Sequence, residues 1–497
     1  MSIRTVLPLT AAALVLTAAP ADAADRRASA TLQKSVRTAA VSVSTMAFGA
    51  VSPSSPSVTS SVALPAGKVA VSLFLSGNCP TVKVKIGTGA AVTGGNGAQI
   101  SGAAATSPFP VQVTGDGCSA TYRLGITVTP GTIAPEAAPA IATNVKDVTA
   151  YGAKGDGVTD DTSAIRRALD ALSPGDVLRF PAGRTFVHRD IIKILKPGVT
   201  LSGSATLLAP DPMKSDVVIE ADNVTVEGLS FVTKNARERK AEIDQMGLTV
   251  WSNTGTVLRK VTVNGSASAG IYVVGSRKFR IEDAVVQNTL SDGIHVTGAS
   301  SDGTVVRPTV RNTGDDGVAV VSYRNDGAPC RNISVVSPRF YGNTWGRAFA
   351  VVGGEDITYT DVYAERSNAA AIYVAAEGVS SWNTFAPKRV TFTGGTLVKS
   401  NVNPVVDQGA VLVHSGQPDQ IEDVTISDIA IKDTRADASR QVGAYSDYDP
   451  APRRVRFSNI SITGGGLPVW VNLPSANYAL DGIVWNGSSL AAHRQAW

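Results

Sequence analysis

From about residue 223 to the end of the chain, short stretches alternate apolar and polar positions and return at a regular interval. Asn223-Val224-Thr225-Val226-Glu227-Gly228-Leu229-Ser230-Phe231 is one, and Phe279-Arg280-Ile281-Glu282-Asp283-Ala284-Val285-Val286 another. Val424-Thr425-Ile426-Ser427-Asp428-Ile429 and Val455-Arg456-Phe457-Ser458-Asn459-Ile460 come later. A period of two residues predicts strands with one face on a core. A second phrase recurs between them every 23 to 31 residues. It reads Ser268-Ala269-Gly270-Ile271-Tyr272-Val273, then Ser291-Asp292-Gly293-Ile294-His295-Val296, then Asp315-Asp316-Gly317-Val318-Ala319-Val320. Gly346-Arg347-Ala348-Phe349-Ala350-Val351 and Ala370-Ala371-Ile372-Tyr373-Val374 complete the series. Repeats of this length, each too small to bury its own apolar face, predict stacked coils: an all-β parallel solenoid.

The first 140 residues have a different texture. Arg4, an apolar run over 10–19 and Ala21-Asp22-Ala23 read as a secretory signal peptide over 1–23, which puts the mature chain outside the cell. No run is long enough to span a membrane. Residues 24–140 are rich in Ser, Thr, Val, Ala and Gly, with strand patterns at Val69-Ala70-Val71-Ser72-Leu73, Val82-Lys83-Val84-Lys85-Ile86 and Tyr122-Arg123-Leu124-Gly125-Ile126. They predict a small β-sandwich accessory domain, with Cys79 and Cys118 a plausible disulfide in an oxidising compartment. Its role is either glycan or surface attachment, or purely structural. A Pro-rich linker, 130–139, leads to the solenoid domain, 144–497. The net charge of +4 resembles no nucleic-acid stripe. Cys330 reads as a small buried residue.

At the start of the second domain, Asp160 or Asp161 predicts the N-cap of a helix with Ile165, Ala168, Leu169 and Leu172 on one face. Such a helix would cover the open apolar end of a solenoid. The segment 150–183, with Tyr151-Gly152-Ala153-Lys154-Gly155-Asp156-Gly157 before Asp160-Asp161, resembles the entry motif of the pectate-lyase-3 group of right-handed parallel β-helices. That group is related to the polygalacturonase-type glycoside hydrolases. The motif speaks for fold. Asp156, Asp160 and Asp161 read as turn and cap residues.

The residue before the small one in each phrase reads Ala, Asp, Asp, Arg, Ala, so the scaffold does not dictate it. With coils about 4.8 Å apart, Asp292 and the pair Asp315–Asp316 fall on neighbouring coils, with Arg347 one further. Tyr272, His295 and Tyr373 form a second outward column. Carboxylates this close do not all ionise freely, which suits one to general-acid work and another to activating water. Scattered His188, His414 and His493 argue against a histidine metal site. Trp345 is the tryptophan best placed for a sugar ring, ahead of Trp251, Trp382 and Trp470.

Over 290–375 the resemblance to polygalacturonases becomes residue-specific. Ser291-Asp292-Gly293-Ile294 is similar to that family's Asn-Thr-Asp-Gly phrase, and Gly314-Asp315-Asp316-Gly317-Val318-Ala319 to its Gly-Asp-Asp-Cys-Ile-Ala phrase. The resemblance implies Asp316 or Asp315 as general acid and Asp292 in water activation. Where the family has Gly-His-Gly this chain has Gly346-Arg347-Ala348, and where it has Arg-Ile-Lys, gripping a uronate, this chain has Tyr373-Val374-Ala375. The expectation is therefore a secreted, inverting glycoside hydrolase of a polysaccharide other than polygalacturonate, without a cofactor. Asp292, Asp315 and Asp316 would be catalytic, and His295, Arg347, Tyr272, Tyr373 and Trp345 would bind substrate. Two alternatives stand beside it: a Ca²⁺-dependent lyase with Arg347 as base, and a non-catalytic glycan-binding solenoid. Oligomeric state is undetermined.

Overall fold

The computed structural model describes residues 144–378 and 382–495, together with the backbone of eight strands between 44 and 128. The chain divides into two compact units, Met1–Ala138 and Pro139–Trp497. In the first, strands Ser44–Val51, Ala120–Val128, Val69–Gly77 and Gln99–Ser101 form one antiparallel sheet. Strands Ser57–Val62, Phe109–Gly115, Val82–Ile86 and Val92–Gly94 form another. Cys79, Cys118 and the signal segment 1–23 lie outside the described residues.

The second unit is a parallel β-solenoid of the right-handed type with about 12 turns. Most coils contribute two strands to a sheet of 24 and one to a separate sheet of 11. The first two stretches read above as single alternating strands are two strands each, whereas Val424–Ile429 lies within one strand, Glu422–Lys432. Thr225–Glu227 and Ser230–Thr233 meet at Gly228 (φ 74°), and Arg280–Glu282 and Val285–Thr289 meet at Asp283 (φ 52°). At each corner the inward positions step by three, from Val226 to Leu229 and from Ile281 to Ala284, because the left-handed residue adds one outward position as it turns the chain.

The 11-stranded sheet carries the repeated phrase. Ile271, Ile294, Val318, Phe349, Ile372, Val411 and Val442 pair in register, and all are fully buried. Each such side chain contributes about 1.5–3 kcal/mol of burial. Stacking like on like lets every coil complete the core of the next. The small residue of the phrase has a packing cause. A Cβ on Gly293 would lie 2.3 Å from Val310 Cγ1, and one on Gly317 would lie 2.3 Å from the Phe340 ring.

The helix Thr162–Asp170 buries Ala164, Ile165, Ala168 and Leu169 in the common core, as its spacing predicts. Its N-cap position is Asp161, but the capping bond is not made by that side chain. Asp160 Oδ1 accepts the Thr162 N–H at 3.0 Å, while Asp161 accepts the N–H groups of Lys154 and Gly155 at 2.6 and 3.0 Å. Asp156 closes its own turn on Val158 and Thr159.

One buried carboxyl is left incompletely satisfied. Asp216 accepts from Thr249 Oγ1 at 2.6 Å, and its Oδ1 has no partner. Burial pushes its pKa up to about 8. Because the folded state then holds a proton that the unfolded chain releases near pH 4, stability falls as pH rises from about 4 to about 8, by up to ~1.4 kcal/mol per unit. Asp216→Asn is expected to flatten this slope and raise the melting temperature at pH 7.5 more than at pH 5. Thermal unfolding at the two pH values checks it, and parallel slopes for both proteins would refute it.

Candidate active site

The strand register carries the aspartates into one column. Gly270 N–H donates to Asp292 O, Gly293 N–H to Asp316 O and Gly317 N–H to Arg347 O, at 2.8 to 3.0 Å. Asp292, Asp316 and Arg347 are therefore successive rungs, and Asp315 stands one residue earlier on the middle rung. One carboxylate oxygen from each of Asp292, Asp315 and Asp316 lies within 4.8 Å of the other two. Among the described residues, this trio offers the oxygen-rich corner that a cation would need.

Each carboxylate has distinct company. Asp292 Oδ1 accepts the Asp316 N–H at 2.9 Å, and its Oδ2 meets Nδ1 of His295. Asp316 Oδ1 accepts the Arg347 N–H at 2.6 Å. Asp315 forms an ion pair with Arg239 at 2.6 Å. Burial, followed by repulsion from Asp315, pushes the Asp316 carboxyl well above the usual carboxylate range. Burial and the charge of Asp292 also raise Asp315, against the pull of Arg239. The Asp315–Asp316 pair thus keeps a proton to higher pH than an isolated aspartate would.

The second column forms as well. Tyr272, His295, Ala319, Ala350 and Tyr373 pair in register. Tyr272 lies 5.5 Å from the His295 ring, and Tyr323 stacks on the other side at 6.4 Å and 16°. Trp382 continues this aromatic series, 6.3 Å from Tyr323. Arg347 lies over the Tyr373 ring, with Cζ 4.0 Å from its centroid, and is 3.6 Å from Glu377. Tyr373 OH donates to the same Glu377 at 3.2 Å. Trp345 is half exposed, one residue before Gly346 and two before Arg347 in the chain.

Sequence reasoning passed over Arg239, Tyr323, Glu377 and Gln408, whose Oε1 faces Arg347 Nε at 3.4 Å. Arg239 comes from the basic stretch Lys234-Asn235-Ala236-Arg237-Glu238-Arg239-Lys240, which interrupts the solenoid pattern. A charged excursion between two regular coils was the available signal. Tyr323 and Glu377 carry no such mark, because both follow ordinary strand phrases.

Cys330 is fully buried, and burial pushes its thiol up to about 12, which makes it inert.

Comparison with known proteins agrees with this geometry. Residues 142–379 match the family described as rhamnogalacturonase A/epimerase, pectate lyase-like. A polygalacturonase of Prunus persica is 24% identical over 69% of this chain and 93% of its own length. An exo-poly-α-D-galacturonosidase of Dickeya chrysanthemi is 24% identical over 64% of this chain and 67% of its own. Among solved structures, the catalytic domain of a GH87 α-1,3-glucanase in complex with nigerose aligns with TM-score 0.53 and 15% identity, over 87% of this chain and 88% of that one. PfbA, a surface adhesin of Streptococcus pneumoniae, aligns with TM-score 0.56 and 14% identity, over 69% of this chain and 90% of that one. At such identities these two structures speak for the fold. The match over residues 142–379 and the polygalacturonase relatives lead to one conclusion: the chain is a glycoside hydrolase of the parallel β-helix type, similar to the pectate-lyase-like and polygalacturonase proteins.

Proposed function

We propose that this protein is a secreted hydrolase that cleaves a polysaccharide by aspartate acid/base catalysis on the outer face of the 11-stranded sheet. The observation that carries the reading is the convergence of one carboxylate oxygen each from Asp292, Asp315 and Asp316 within 4.8 Å, where burial and mutual repulsion favour a shared proton on the Asp315–Asp316 pair. That proton goes to the glycosidic oxygen as the bond breaks. Asp292, held by the Asp316 N–H and by His295, accepts a proton from the attacking water. Tyr272, His295, Arg347, Tyr373 and Trp345 surround the sugar. The helix Thr162–Asp170 serves as the cap of the solenoid's open end.

The substrate is other than polygalacturonate. Arg347, the cation of the column, already faces Glu377 at 3.6 Å, and Tyr373 occupies the next phrase where a uronate would need a free positive charge. The glycan-bound state of the GH87 relative and the polygalacturonase relatives favour a polysaccharide as substrate. The stereochemical outcome is inversion on the family resemblance. Carboxylates this close would by separation alone suggest retention, so NMR of the first-formed anomer decides. The reaction so read needs no cofactor.

The trio of carboxylates also suits a lyase in which Ca²⁺ sits between them and a uronate, with Arg347 as base. Against this, burial alone would lower the Arg347 pKa, but Tyr373, the Asp315–Asp316 pair and Glu377 together raise it above the usual arginine value, so the guanidinium stays protonated. Reducing-end release from neutral and acidic polysaccharides, read beside ultraviolet absorbance with and without chelator, separates the readings. Reducing ends without absorbance, indifferent to chelator, are expected. Chelator-sensitive absorbance would make the aspartates metal ligands, and silence across the panel would leave a glycan-binding solenoid.

A further inference from the structure

Beyond the aspartates, the same outward face of the 11-stranded sheet ends in a second cluster of aromatic and polar side chains. The register runs from Ala319, three residues after Asp316, through Ala350, Tyr373, Leu412 and Gly443 to Trp470. That is five coil steps, or ~24 Å at the spacing of neighbouring strands. Beside this column His414 pairs with Tyr445, their rings 4.5 Å apart, and Tyr445 meets Trp470 edge-on at 5.5 Å and 60°. Trp470 is 38% exposed, so a large apolar ring remains open to solvent.

An arginine underlies the rings. Arg440 places its guanidinium 5.3 Å from the Tyr445 ring and 5.1 Å from that of Trp470. It lies across the sheet at Gly443, where a Cβ would sit 2.7 Å from both its Cδ and its Nε. Glycine at that position makes the bed for the arginine. Arg440 is only 9% exposed and donates to Asp407 O at 2.8 Å and Ser439 Oγ at 2.7 Å, yet its Nε has no partner.

We infer that Trp470, Tyr445, His414 and Arg440 form a distal glycan subsite that holds a neutral polysaccharide chain running along the coil axis from the aspartates. The inference rests on the hydrolase reading for its direction and goes beyond it in naming a site and a substrate class. Aromatic faces take the apolar face of a sugar ring, and the Arg440 guanidinium packed against both rings fixes their orientation. Neutrality follows from charge. Arg440 faces Asp407 at 3.9 Å, Arg347 faces Glu377 at 3.6 Å, and Asp447 at 2.8 Å from His414 adds a further carboxylate. These carboxylates would repel the negative charges of a polyuronate, whereas a neutral chain has no charge for them to repel. The platform is continuous with the aspartate column along one sheet face, which makes a long chain rather than a free sugar its occupant.

Affinity electrophoresis of the full chain tests this, in gels containing soluble neutral glucans and mannans or polygalacturonate. A neutral polymer is expected to retard the wild type and Asp316→Asn alike. Trp470→Ala should weaken retardation about three- to tenfold, the worth of one aromatic contact, and Trp470→Phe should keep most of it. On the retarding polymer, Trp470→Ala should raise KM and leave kcat unchanged. Retardation of Trp470→Ala equal to wild type, retardation by polygalacturonate alone, or no retardation would each overturn the subsite. Retardation lost in Trp470→Ala while no polymer is ever cleaved would keep the subsite and sink the hydrolase reading instead.

Discussion

Asp316→Asn is expected to lower kcat by about 10²- to 10⁴-fold, the usual worth of a positioned general acid, with little change in KM. The amide is the same size and its oxygen still accepts the Arg347 N–H, so the local backbone keeps its bond. What disappears is the proton. The Asp316 carboxyl is raised well above the ordinary range by burial and by Asp315, so the folded protein binds a proton that the unfolded chain has released. Two consequences follow. Activity of the wild type falls as pH rises through the pKa of the pair, and the variant lacks that alkaline limb. Stability above the unfolded pKa is penalised in the wild type and relieved in the variant, so Asp316→Asn melts at the same temperature or higher at neutral pH. Initial rates over a pH series, with melting curves alongside, read both. A substrate with a good leaving group needs no acid and should recover most of the lost rate. Wild-type turnover in the variant would remove Asp316 from the chemistry.

Gly346→Ala should be almost as damaging, although glycine takes no part in the reaction. Its φ is 75°, and a Cβ would fall 2.2 Å from Asp315 Oδ1 and 2.6 Å from Asp316 Oδ1. The backbone conformation alone costs about 1–2 kcal/mol for an L-residue. The larger effect is on the carboxylates, which must move to admit the methyl group. A displacement of about 1 Å in a catalytic constellation costs on the order of 10²-fold in rate. The variant is expected to fold, melt a few degrees lower and lose about two orders of magnitude in kcat. Binding at Trp470, four coils from Gly346, should be unchanged in affinity gels. Full activity in Gly346→Ala would mean that the carboxylates need no defined arrangement.

The repeating phrase made the solenoid legible because each coil reports its own inward face. The column of Asp292, Asp316 and Arg347 was legible for the same reason: in a parallel stack, equal phrase position means vertical neighbours. That logic reaches only residues on the repeat. Arg239 pairs with an aspartate 76 positions later from an excursion with no phase. Tyr323 reaches the His295 ring from the connection after its strand, and Glu377 reaches Arg347 from the end of the next one. The corners at Gly228 and Asp283 leave one trace in the sequence, a step of three between inward apolar residues, Val226 to Leu229 and Ile281 to Ala284, which breaks the alternation.

The sequence by itself determined the coil period, the inward aliphatic column, the small residues where neighbouring strands approach closely, and which outward positions carry charge. These are local or periodic properties, and covalent spacing transmits them directly. Tertiary structure alone decided which partner each carboxylate meets, and therefore which of them keeps its proton. It also decided that Arg440 lies over a glycine beneath Tyr445 and Trp470, since burial and Coulomb energy depend on distances between segments that no spacing along the chain encodes.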